Sequence, residues 1–155
     1  MTRSNARELA VQLMYGRDFT GETPEDVVNI RLNKEYYAKL AAENDVYAER
    51  PTGSLLRYVD SVVSGVANRG DELNETISQF SIGWDVTRIS RLTRCIMQLA
   101  IYEILYLEDL PTGVSISEAV RIAKKYDGDD TGSFVNGILG AFARTLTNEA
   151  PAEEV

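Results

Sequence analysis

The stretch "YDGDDTGSFVNGILGAFAR", residues 126–144, decides whether this chain is built from helices or from hairpins. Its Asn136-Gly137 pair, set between apolar residues, is the strongest short-range hairpin cue a sequence offers. The flanks contradict that cue. Phe134, Val135, Ile138, Leu139 and Phe142 recur every three to four residues, the spacing of one helical face, and not every two. The stretch is therefore predicted to be helical. Gly137, which costs about 1 kcal/mol relative to alanine inside a helix, is expected to mark close approach to another helix. Asp127, Asp129 and Asp130 then lie beside a helix start, where free amides and the dipole favour negative charge, with Asp130 or Thr131 as the cap.

Outward from this stretch the chain reads as helices throughout. Ala6, Leu9, Ala10, Leu13 and Met14 follow an Asn5 cap with Glu8 three residues on, which predicts a helix over 6–19. Thr23 caps the next, with Pro24 at its first position and Glu25 and Asp26 at the positive dipole end; it is expected to carry Val27, Leu32, Tyr36 and Leu40 as one element. From Ser54 a third stripe holds Leu55, Leu56, Val59, Val62, Val63 and Val66, and Asp71 starts a short helix with Leu73 and Ile77. The longest pattern runs over 85–107, with Ile89, Leu92, Ile96, Leu99, Ile104 and Leu105 inward and Arg88, Arg91 and Arg94 on another face. Ser115 and Glu118 in "SISE" form a capping box that opens a helix to Tyr126. The expected architecture is all-α: about seven helices in two small helical bundles packed into one compact domain. The N-terminal subdomain covers 1–83, the C-terminal one 84–146, and 147–155 forms a flexible acidic tail.

Composition narrows the function. The chain of 155 residues is 44% apolar and 26% charged, ordinary for a globular protein, and its net charge of −8 argues against a general nucleic-acid or membrane binder. Any RNA contact must be local. Cys95 stands alone in an apolar helical run, so neither a disulfide framework nor a thiolate metal site is available. No signal peptide or membrane-length apolar run is present, and a cytoplasmic location is expected.

Catalytic constellations are missing. Without histidine there is no Ser-His or Cys-His pair, no G-x-x-x-x-G-K loop is present, and an enzyme is not expected. Asp127, Asp129 and Thr131 before Gly132 imitate the first half of a calcium loop, but the twelfth position, which needs a bidentate glutamate, is Ile138. No metal or cofactor is expected. What remains are surfaces: Arg3 and Arg7 near the start, the row Arg88, Arg91 and Arg94, a patch at Arg121, Lys124 and Lys125, and Phe134.

"ARELAVQLMYGRDFTG" near the start, "RISRLTRCIMQLAIYEILYLEDLPTGVSISEAVRIAKKYDGDD" and "SFVNGILGAFAR" together resemble the bacterial NusB family of transcription antitermination factors in order and spacing. The likeness is strong over 84–144 and good over 5–21, and in 22–83 it extends only to helical character. It implies an all-helical fold, pairing with NusE, a small-subunit ribosomal protein, and recognition of boxA RNA in nascent ribosomal RNA transcripts. The RNA polymerase antitermination complex would be the destination; some relatives self-associate, so the resemblance leaves both a monomer and a homodimer open. By position, the resemblance assigns RNA contact to Arg3, Arg7, Asp130 and Phe134, with Tyr15 a weaker candidate. Relatives often carry histidine and lysine where this chain has Gly132 and Ser133, which removes RNA-facing charge here. A protein-only adaptor of the same fold that has lost boxA recognition therefore stays open as the alternative.

Overall fold

A computed structural model describes residues 1–41, 49–83 and 89–149. Among these residues it contains eight helices and no strand, in two compact units, Met1–Arg69 and Gly70–Val155.

In the first unit, α1 spans Arg3–Thr20, α2 Pro24–Arg31, α3 Lys34–Ala41 and α4 Gly53–Asn68. The start of α1 lies ahead of the expected Asn5 cap. The Thr2 hydroxyl accepts the Asn5 amide at 3.1 Å, so Asn5 is already inside the helix. Gly21 ends α1 in the left-handed region (φ 70°) and returns its amide to the Arg17 carbonyl at 2.9 Å. Thr23 caps α2 through the Asp26 amide at 3.2 Å, with Pro24 at the first position.

The single helix expected after Thr23 is two. The Asn33 side-chain oxygen accepts the amides of Glu35 (2.9 Å) and Tyr36 (3.4 Å), which opens α3 afresh. Helix α4 packs on α1 and α2, and Ala6, Leu9, Ala10 and Leu13 of α1 and Val59, Val62, Val63 and Val66 of α4 are buried.

The second unit holds α5 (Gly70–Phe80), α6 (Arg91–Tyr106), α7 (Thr112–Asp127) and α8 (Asp129–Glu149). Its boundary precedes the expected one at 83/84, because α5 packs on α6 and α8. Helix α6 is shorter than the expected 85–107 run. Ser90 caps it by accepting the Thr93 amide at 3.2 Å; residues 84–88, including Arg88, lie outside the described residues, as do 150–155 of the acidic tail. Ile96 and Leu99 are buried as expected, whereas Leu105 is exposed.

The expected capping box is absent. Helix α7 begins at Thr112, directly after Pro111, so Ser115 is already one turn inside; there its hydroxyl donates to the Glu103 carboxylate of α6 at 2.8 Å, both side chains buried. A single residue, Gly128 (φ 94°, ψ 174°), turns the chain from α7 into α8. Helix α8 carries the decisive stretch, with Val135, Ile138, Leu139 and Phe142 buried. Gly137 does not mark a close helix approach. It is exposed, with nothing near the position its Cβ would take.

Candidate nucleic-acid interface

The first turn of α1 brings Arg3 and Arg7 to one aromatic ring. The Arg3 guanidinium carbon lies 4.5 Å from the centroid of Tyr58, on α4, and that of Arg7 lies 5.9 Å from the same centroid. Both distances are within the range in which a cation is attracted by a ring face. The two arginines differ in access: Arg3 is half-buried, whereas Arg7 is only 3% exposed. Tyr58 itself is 6% exposed. Spacing in the sequence groups the two arginines, which are four apart, but carries no signal for Tyr58, which lies more than fifty residues later.

Tyr15 sits at the other end of α1, half-buried and edge-on to Phe19, with ring centroids 5.0 Å apart and planes at 79°. Phe19 is 61% exposed. The i, i+4 spacing on α1 places these rings together and presents an aromatic pair in which only Tyr15 was expected to matter.

In the second unit a cavity of about 300 Å³ opens between the starts of α6 and α8, lined by Ile89, Ser90, Thr93, Asp127, Asp130, Thr131 and Phe134. Asp130 and Phe134, one turn apart on α8, both line it. A hydroxyl chain runs through the lining: Ser90 donates to the Thr93 hydroxyl at 2.9 Å, and Thr93 donates to the Asp127 carboxylate at 3.3 Å. Thr131 donates back to the Asp127 carbonyl at 3.3 Å. Asp127 thus ties the end of α7 to the start of α6. Among the described residues, no group of three histidine, cysteine or acidic side chains is placed to hold a metal ion.

The basic residues of this unit are dispersed. Arg91 is exposed and Arg94 half-buried near the start of α6, and neither lines the cavity. Arg121 pairs with Glu118 at 2.7 Å, and the Lys125 ammonium lies 5.4 Å from the Tyr126 ring centroid. Lys124 folds back over α8: a Cβ built on Gly132 would stand 2.5 Å from its Cγ. The glycine that removes a side chain from this turn therefore makes room for the stem of Lys124.

Charge is divided unevenly. Residues 1–69 hold nine Lys and Arg against ten Asp and Glu, and residues 70–155 hold seven against fourteen, so nearly all of the net charge belongs to the second unit.

These features define a small all-helical protein whose candidate sites are aromatic and polar surfaces at helix ends. Residues 4–144 match the NusB family along almost the whole chain, and the protein belongs to that family. It is 36% identical to the transcription antitermination protein NusB of Acetivibrio thermocellus, over 99% of this chain and 97% of the relative. Among solved structures it is similar to T. maritima NusB, at 25% identity and a TM-score of 0.69, over 93% of this chain and 92% of that one. It also shares its fold with a chain in a crystal structure of the antitermination factors NusB and NusE in complex with double-stranded RNA, at 22% identity and a TM-score of 0.70, over 92% and 96% of the two chains.

Proposed function

We propose that this protein is a transcription antitermination factor that joins NusE, a small-subunit ribosomal protein, on boxA RNA of nascent ribosomal RNA transcripts and thereby promotes processive transcription. It acts by binding and not by turnover, in the cytoplasm where those transcripts are made. The observation that carries the reading is the α8 cavity. It presents a half-buried aromatic ring, Phe134, beside the Asp130 carboxylate and the hydroxyls of Ser90 and Thr131. A ring of this kind stacks on a splayed base, worth about 1–3 kcal/mol, while acceptors beside it receive the amino groups of a base edge. Asp130 repels phosphate, so its contribution is to a base and not to the backbone.

Phosphate contact falls to Arg3. In this reading Arg7, almost fully buried, supports the start of α1 and leaves the phosphate to Arg3. The acidic second unit suits a basic protein partner, since complementary fields speed encounter and select partners.

The direct test is transcription through a terminator in vitro on a template carrying boxA. Adding the protein with NusE should raise read-through, and scrambling boxA should remove the gain. Equal read-through on the scrambled template would sink the proposal. The adaptor reading draws on the burial of Arg7 and the acidic charge; in that case Arg3→Ala leaves RNA affinity of the NusE pair unchanged.

A further inference from the structure

We propose that Tyr58 is a positioning residue for RNA contact, holding the Arg3 guanidinium over its ring in the orientation that meets a phosphate; this rests on the assignment of Arg3 to RNA given above. Tyr58 lies on α4, in the part of the chain that resembles the family only in helical character, so the resemblance assigns it no role.

The geometry supports the proposal in three steps. Arg3 is the first residue of α1, directly after the Thr2 cap, where the chain offers its long side chain few neighbours along its own helix. An arginine in that position samples many rotamers unless something selects one. The Tyr58 ring selects: it is buried, hence fixed, and the Arg3 guanidinium carbon stands 4.5 Å from its centroid. Stacking occupies the face of a guanidinium and leaves its N–H edge for a phosphate, which an arginine grips with two parallel bonds.

Arg7 completes the arrangement. Its guanidinium carbon is 5.9 Å from the same centroid and its side chain is buried, so the second cation occupies the inner part of the site and Arg3 takes the accessible position. The ring also offsets the repulsion between two like charges brought to one aromatic face.

The test replaces Tyr58 in the full chain by phenylalanine and then by phenylalanines of increasing ring fluorination, which preserve ring shape while draining the negative face. RNA affinity is measured with NusE present, each variant being made with Arg3 and with Arg3→Ala. We expect Tyr58→Phe to bind RNA like the parent, affinity to fall stepwise to about two- to five-fold weaker at full fluorination, and the trend to vanish in the Arg3→Ala background. NusE binding should stay constant across the series, which a merely structural fault would not allow. Affinity independent of fluorination, with Arg3→Ala still weakening RNA binding, would overturn the role of Tyr58 alone. If Arg3→Ala itself leaves RNA affinity unchanged, the phosphate contact of α1 falls, and the role of Tyr58 falls with it.

Discussion

At the scale of single residues, the start of α1 sets a buried arginine, Arg7, beside a half-buried one, Arg3, and the proposed function assigns them different roles. Arg7 is buried and Arg3 is accessible, so Arg7→Ala should lower the melting temperature, whereas Arg3→Ala should leave it nearly unchanged and weaken RNA binding. Phe134 offers the complementary case. Phe134→Ala should reduce boxA affinity of the NusE pair on the order of ten-fold, measured by titration, with NusE binding retained. Glu22 gives a pH signature. The hydrogen bond from Arg31, at 2.7 Å, and the neighbouring Thr20 hydroxyl hold its carboxyl below the ordinary 4.5. A carboxyl whose folded value is lowered adds stability that is fully present above 4.5 and is lost as the pH falls through the folded value. The urea midpoints of the parent and Glu22→Gln should therefore differ at neutral pH and converge in acid; a difference that persists unchanged in acid would exclude this coupling.

At the scale of elements, two glycines of the decisive stretch act in opposite ways. Gly128 holds a backbone conformation essentially closed to other residues, so Gly128→Ala should destabilise the chain by about 1–3 kcal/mol. Gly137 is exposed inside α8 with open space around it, and Gly137→Ala should stabilise by about 1 kcal/mol; chemical denaturation of both variants checks the contrast. The helical period of α8 is legible in the sequence because five apolar residues share one spacing. Other features are hidden there for identifiable reasons. The break between α2 and α3 rests on one asparagine side chain interrupting a run that stays periodic across it. "SISE" has the composition of a capping box, yet Pro111 starts α7 earlier and leaves Ser115 to meet Glu103, a partner twelve residues away. The cavity beside Phe134 is lined by Ser90 and Thr93 as well, and the Thr93 to Asp127 bond within its lining spans thirty-four residues. Local spacing holds no information about such pairings, and the same is true of Tyr58 beneath Arg3.

At the scale of the whole molecule, the sign of the charge constrains how RNA is held. In the proposed role, a chain of net charge −8 would hold RNA through a few local contacts, so its salt dependence should be shallow. For single strands each neutralised phosphate contributes about −0.7 to the slope of log affinity against log salt, and removing Arg3 should flatten the slope by about that amount. The scarcity of cations is plain from composition alone, whereas the burial that withdraws Arg7 from solvent is a property of the folded chain. On the proposed function, the partner then supplies most of the remaining attraction for RNA. This is tested most directly by fluorescence anisotropy of a labelled boxA-type RNA with this protein, with NusE and with both, against a scrambled RNA. The account predicts that the pair binds boxA far more tightly than either component and that the scramble does not compete. RNA affinity that fails to rise when the two are combined, or that the scramble matches, would contradict it.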